Sequence, residues 1–365
     1  MKVLALYLPQ YHEIEENDKW WGDGYTEWTA VRSAVTYDSR QRQPRVPLNN
    51  NYYDLSDGEA KTWAWQAKIA KEYNVEGFVI YHYWFKTGKQ LLEKPMEILL
   101  RHKEIDINYC ICWANESWTR TWYGVESEML MLQEYGDETE WENHFNYLLP
   151  FFQDTRYIKI NNKPMVNIYH SAEIPDIEKM LRVWNESAVK NGFDGIYVVS
   201  GNTGAETDKR NVYDAHYNFE PSYTLMHKQT KAERFEYLVK VFFRSSFNKI
   251  SRKKIIERPV NGKSFTKRMF RSDRNDNDKV IFPCVFPMWD NSPRRKYKGT
   301  FFYGMDTDNF RRQILSAKEK YPTSEFLYVN SWNEWGEGAY LEPDTDNKFG
   351  FLEVIRDETR EKNGK

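Results

Sequence analysis

The sequence predicts an α/β chain folded as a (β/α)8 barrel, on three observations. Eight apolar runs of strand length alternate with segments of helical spacing. Clusters that mix aromatic with polar residues fall directly after the first, second, third, seventh and eighth runs, which in a barrel is a single face. The first run ends in Pro9-Gln10-Tyr11-His12, which lacks the glycine-rich phosphate turn of an open doubly wound sheet.

Residues 3–8 form a continuous apolar run, as expected of a strand buried on both faces. A long polar and aromatic segment follows, of the kind that is usually functional. Residues 57–73 have helical spacing, with Ala64, Ala67, Ile69 and Ala70 among charged neighbours. The remaining expected strands are 75–81, 107–113, 164–169, 195–200, 214–219, 280–286 and 326–330. Helices are expected near 90–103, 137–150, 174–190, 231–248 and 307–319, with a last one at 351–362. The expected organisation is one catalytic domain over residues 1–365, with long loops and a basic insertion at about 244–279 between the sixth and seventh strands.

Composition narrows the class. The chain has 365 residues, 40% of them hydrophobic, which is enough for a sizeable core. Trp (14), Tyr (25) and Phe (21) make 16% of it, and many stand beside Asn, Asp, Glu or His, a mixture that suits sugar sites. A net charge of −2 gives no global attraction to nucleic acid. Cys110, Cys112 and Cys284 are too few for a disulfide framework and fit a reducing compartment. The apolar start stops at Pro9-Gln10 with no cleavage site, and no run reaches membrane-spanning length, so a cytoplasmic location is expected. The seven His show no metal-ligand spacing, and neither a Walker loop nor a serine elbow is present, so no metal and no cofactor are expected.

The chemistry concentrates in Trp332-Asn333-Glu334-Trp335-Gly336-Glu337, directly after the last strand. Desolvation beside indoles and a second carboxylate both raise a carboxyl pKa, the condition a general acid needs at neutral pH. Glycosyl transfer uses such a pair, and spacing i, i+3 permits it without fixing the stereochemistry. The competing reading is a helix N-terminus capped by Asn333, with acids in its first turn. Asn115-Glu116, after the third strand, is a rival acid, and its structural alternative is a pair with Arg120. Glu27 reads as substrate-binding or structural, and His82 as a ligand for a sugar hydroxyl or a satisfied semi-buried histidine. The stretch 244–274 carries eleven Lys or Arg against Glu257 and Asp273. It reads as a solvated insertion, as a weak contact for an anionic membrane, or as a reader of acidic polysaccharide.

The segments Tyr7-Leu8-Pro9-Gln10-Tyr11-His12, Gly24-Tyr25-Thr26-Glu27-Trp28, Gln43-Pro44-Arg45, Tyr81-His82-Tyr83-Trp84-Phe85, Cys112-Trp113-Ala114-Asn115-Glu116, Trp289-Asp290-Asn291 and Trp332-Asn333-Glu334-Trp335 carry a resemblance. The chain resembles the WbsX-type proteins of bacterial polysaccharide gene clusters, which are related to glycoside hydrolase family 99. The resemblance implies a (β/α)8 barrel acting on an oligosaccharide or polysaccharide, of bacterial surface or O-antigen type. It implies Glu334 as the base that deprotonates a sugar 2-hydroxyl and Glu337 as acid, then base, in a retaining reaction. The expected substrate-binding residues are Tyr7, His12, Glu27, Trp28, His82, Tyr83, Trp84, Trp113, Asn115, Glu116, Trp118, Arg120, Trp289, Asp290, Trp332, Asn333 and Trp335. A glycosyltransferase and a non-catalytic glycan-binding barrel are the alternatives.

Overall fold

The structure is a computed structural model that describes residues 1–119, 128–205, 207–271 and 280–360. Eight parallel strands form the sheet: β1 (Lys2–Tyr7), β2 (Val75–Trp84), β3 (Asn108–Trp113), β4 (Lys163–Ile168), β5 (Tyr197–Asn202), β6 (Ala215–Asn218), β7 and β8 (Phe326–Val329). Strand β7 is split by Pro283 into Ile281–Phe282 and Cys284–Val285. Proline has no N–H to give a ladder, so the strand breaks there. The first piece pairs with β6 and the second with β8, while β1 pairs with both β2 and β8. The pairing therefore runs round the whole circle, and the chain is a (β/α)8 barrel as expected.

The reason for closure is visible in β1, where Val3, Leu4, Ala5, Leu6 and Tyr7 are all fully buried. Such a strand needs cover on both faces, which a barrel lined inside by side chains and wrapped outside by helices supplies. Gly77 lets β2 and β3 approach, because a Cβ there would fall on the backbone carbonyl of Asn108. The wrapping helices are Lys61–Glu72, Lys94–Arg101, Glu138–Phe152, Ile177–Lys190, Thr307–Lys320 and Gly350–Thr359, while Lys231–Ile250 follows β6 and buries only Asn248. Glu138–Phe152 starts at an Asp137 side-chain cap, and Lys231–Ile250 at a Thr230–Glu233 capping box.

Two regions differ from expectation. The segment after β1 contains the short helices Glu15–Trp21 and Glu27–Arg32 rather than loop alone. The basic insertion is not merely solvated. Arg258–Asn261 pairs with Thr300–Tyr303, and the helix Gly262–Met269 buries Phe265 and Met269 against Phe286, Trp289 and Phe302. Its apolar anchors, though sparse, stand on the inner side of that helix and build a second small core.

Candidate active site

The eighth strand delivers the chain into a hairpin. Asn333–Glu334 pairs antiparallel with Ala339–Tyr340, and the tight turn Trp335–Glu337 closes it. Gly338, at φ +61°, takes the left-handed position that such a turn needs. Glu334 and Glu337 thus flank a turn rather than begin a helix, and Asn333 is no helix cap. The Asn333 amide instead imitates a neighbouring strand. Leu8 N donates to its Oδ1 at 2.8 Å, and its Nδ2 donates to Leu8 O at 3.0 Å. Tyr11 adds a second tie, its hydroxyl donating to Asn333 O and accepting from Trp335 N at 3.2 Å.

Trp332 and Trp335 do not wall the cavity, and the reason is chemical. A buried indole N–H needs an acceptor, and both find it in Glu342, at 3.0 and 2.7 Å. Gln66 and Tyr53 donate to the same carboxylate at 2.7 and 2.9 Å. Burial pushes Glu342 up to about 7, held in check by those four donors. Trp335 stacks on Tyr340 at 3.8 Å and packs against Trp28 at 5.5 Å. These indoles anchor the hairpin instead of offering a face to sugar.

Arg294 is the residue that the sequence reading missed. Its Nε donates to Glu27 at 2.6 Å, its Nη2 to Glu334 at 3.0 Å and its Nη1 to Glu337 at 3.0 Å. Bound to neighbouring nitrogens of one guanidinium, the nearest oxygens of Glu334 and Glu337 lie at most about 8 Å apart, inside the upper limit of about 9.5 Å for paired glycosidase carboxylates. Burial raises Glu334 to about 8, against the pull of Arg294 and with repulsion from Glu337 and Glu27. Burial likewise raises Glu337, again opposed by Arg294. One shared guanidinium for the buried Glu27 and Glu334 and the partly buried Glu337, with Arg295 acting on Glu337 alone, leaves excess negative charge, and a proton retained on the Glu334–Glu337 pair relieves it. Gly336 makes the cluster possible, because a Cβ there would fall on Glu27 Oε1 and within 2.8 Å of Arg294 Nε. A buried carboxylate pair requires a cation, and that requirement was the available signal for Arg294.

The two carboxylates open into a cavity of about 280 Å³. Five of the expected residues line it: Tyr83, Glu116, Trp289, Glu334 and Glu337. Tyr81, Tyr169, Phe219, Gln10, Asn291 and Arg295 line it too, and none of them was among the expected residues. Strand alternation separates lining from buried residues. Tyr81 and Tyr83 point in from β2, so His82 and Trp84 point out toward helix Glu138–Phe152. There His82 Nε2 meets His144 Nε2 at 2.9 Å, and Trp84 stacks on His144 at 4.5 Å. Tyr7 points out of β1 and donates to Gln66 at 2.8 Å. Trp113 points out of β3 and donates to Trp84 O at 3.1 Å.

Other expected residues hold the frame. Asn115 clamps His170, accepting from its N at 2.8 Å and donating to its O at 2.9 Å. Glu116 Oε2 lies 3.2 Å from His170 Nε2 and accepts from it when that nitrogen carries a hydrogen. Thr203 donates its hydroxyl hydrogen to Tyr169 O at 2.7 Å, so its Oγ1 accepts from His170 Nδ1, also at 2.7 Å. Burial opposes charge on His170, yet Glu116 beside it raises its pKa overall. The alternative partner Arg120 lies outside the described residues. Asp290 accepts from Gln41 and Gln43, while its N–H donates to Glu337 O at 2.6 Å. His12 is buried outside the lining, and burial takes it down to about 4. Trp118 packs on Tyr83 at 5.2 Å. Among the described residues no cluster of His, Cys, Asp or Glu has metal-binding geometry.

The chain matches known proteins along nearly its full length. Its relatives include the uncharacterized protein WxcX of Xanthomonas campestris pv. campestris strain B100, 28% identical over 97% of this chain and 49% of the relative. The same protein of strain ATCC 33913 is 29% identical over the same shares. The chain therefore spans about half the length of the curated relatives it matches. Among solved structures, a glycoside hydrolase-like protein aligns with TM-score 0.59 at 11% identity, over 99% of this chain and 94% of that one. The GH99 endo-alpha-mannosidase from Bacteroides thetaiotaomicron aligns with TM-score 0.59 at 11% identity, over 98% and 96%. These likenesses establish a common barrel fold. The family described as glycosyltransferase WbsX matches residues 3–355, and the chain belongs to that family.

Proposed function

We propose that this chain is a glycoside hydrolase or transglycosylase acting on a bacterial surface glycan or its precursor, with Glu334 and Glu337 as its acid–base pair. The observation that carries this reading is the pair itself: buried Glu334 and partly buried Glu337, both raised in pKa, joined by Arg294 at the wall of a cavity lined by Tyr81, Tyr83, Tyr169, Phe219 and Trp289. One carboxyl protonates the leaving oxygen, and the other serves as base or nucleophile. Following the resemblance, Glu334 takes the proton of a sugar 2-hydroxyl and Glu337 protonates the glycosidic oxygen. Burial raises both carboxyls and repulsion between them adds to it, which favours one proton shared by the pair. In this assignment the reactive form has that proton on Glu337. Glu116, held by His170 on the opposite wall, orients a sugar hydroxyl.

The family description favours a second reading, transfer from an activated sugar donor. Incubation of the purified chain with bacterial surface oligosaccharides, in the absence of any nucleotide sugar, separates the two. Cleavage or transglycosylation is expected. Turnover that appears only when a nucleotide sugar is supplied makes the chain a glycosyltransferase. Saturable oligosaccharide binding without turnover under either condition makes it a glycan-binding barrel.

A further inference from the structure

The helix Lys231–Ile250 is amphipathic, with its apolar side turned away from the protein. Its inner side is fixed by polar contacts. Arg244 Nη1 donates to Ile256 O at 3.1 Å, and Asn248 Nδ2 to Ile255 O at 2.8 Å. Asn248 is the one residue of the helix that is fully buried. The outer side carries Phe235, Leu238, Val239, Phe242, Phe243, Phe247 and Ile250, spaced by three or four residues over the whole length. Phe235 is 71% exposed, Phe242 and Phe243 67%, and Ile250 89%. Exposed apolar residues elsewhere, such as Val35 and Leu315, stand singly along the chain. A continuous apolar stripe of this kind marks an interaction surface.

Charge identifies the partner. Lys231 and Lys249 border the stripe, as does Lys240 with its partner Glu236, and Arg252, Lys253 and Lys254 follow directly. The acids on the helix are already engaged. Glu233 accepts from Arg271 at 2.8 and 2.9 Å, and Glu236 pairs with Lys240. The exposed surplus around the stripe is therefore positive. A second copy docked face to face would set that surplus against itself, whereas an anionic headgroup layer neutralises it. Phe and Leu on one side with Lys at the margins is the composition of a helix lying in a bilayer interface. Among the described residues no helix is long and apolar enough to cross a membrane. We propose that Lys231–Ile250 docks this protein on an anionic lipid bilayer. Its phenylalanines sit at the boundary of headgroups and acyl chains, and its lysines meet the phosphates.

Co-sedimentation of the full chain with phosphatidylcholine vesicles, with and without phosphatidylglycerol, tests this. Binding to the anionic vesicles is expected at low salt, weakened but not abolished at high salt. The triple variant Phe235→Ser, Phe242→Ser, Phe243→Ser should bind at least about tenfold more weakly, with an unchanged circular dichroism spectrum. Lys240→Gln with Lys249→Gln should lose the preference for anionic lipid. Absence of binding at low salt overturns the proposal, and so does wild-type binding by the triple variant, which would leave only diffuse charge attraction. Self-association abolished by the triple variant, in a chain that ignores both vesicle types, would assign the stripe to a second copy.

Discussion

Arg294 decides how the carboxylate pair behaves, because it is the cation shared by Glu27, Glu334 and Glu337. Replacing either acid of the pair by its amide removes proton transfer without emptying the site. Glu334→Gln and Glu337→Gln are each expected to lower turnover by at least about 10²-fold in steady-state assays. On a substrate with a good leaving group, Glu337→Gln should recover most of its rate and Glu334→Gln should not. The opposite pattern exchanges their roles, and a Glu337→Gln variant with wild-type rates on a poor leaving group passes the acid role to Glu116. Arg294→Ala leaves the buried Glu27 and Glu334 and the partly buried Glu337 without their shared cation. A loss of about 3–5 kcal/mol in urea unfolding is expected for such a break. Without the cation both pair pKa values rise, so the bell-shaped pH profile of the residual activity should move toward alkaline pH. The limbs of that bell belong to the pair, not to either residue. The sequence showed the acids because they stand together in the chain. It concealed the cation because Arg294 is forty residues upstream of Glu334.

At the scale of elements, periodicity explains what could be read in advance. Seven expected helices and eight expected strands coincide with observed ones, and in all of them but Lys231–Ile250 the apolar period is set by packing against the barrel. The same alternation misled where a motif was taken whole. In Tyr81-His82-Tyr83-Trp84 only every second residue reaches the cavity, and the others serve the seam between β2 and helix Glu138–Phe152. The outward apolar face of Lys231–Ile250 could not be read either, since a periodic stripe gives no sign of the side on which the protein lies. The seam has a measurable consequence. Burial lowers His82 to about 3 and takes His144 well below its ordinary value, with repulsion from His82 adding to it. Unfolded rings bind protons near pH 6.5 while the folded ones do not, so this stability is present above pH 6.5 and is lost as pH falls. The loss should be about 2 kcal/mol per ring between pH 6.5 and pH 5. Glu334 and Glu342 act in the opposite sense, because their raised folded values favour the folded state as pH falls from about 8 and about 7. The difference between wild type and His82→Gln isolates the seam: the drop in urea midpoint from pH 7 to pH 5 should be smaller in the variant. An equal drop in both would remove the His pair from the account.

For the whole molecule, the barrel gathers distant segments onto one end, and this is where hydrolysis and transfer can be told apart. A metal-dependent transferase would place paired aspartates on its donor phosphates. The chain has such letters in Asp344-Thr345-Asp346, just beyond the hairpin. The fold gives both acids other partners. Asp344 is buried and accepts from Tyr340 OH at 2.6 Å and from Asn347 Nδ2 at 2.9 Å. Asp346 accepts from Arg45 at 3.2 Å, and Arg45 also lies 3.9 Å from Asp344. Backbone bonds join the same loop to the long segment after β1, Leu48 N donating to Pro343 O and Thr345 N to Val46 O. The two aspartates thus close the hairpin against that segment, and neither lines the cavity that holds Glu334 and Glu337. Exhaustive chelation should therefore leave turnover unchanged, and Asp346→Asn should cost little because Asp346 is itself half exposed. Loss of activity on chelation with recovery on added Mn²⁺ or Mg²⁺, abolished in Asp344→Asn and Asp346→Asn, would instead establish the metal-dependent transferase. Asp344→Asn is the informative arm: in the hydrolase it should lower the urea midpoint, since Tyr340 and Asn347 lose a charged acceptor, while the reaction stays indifferent to metal.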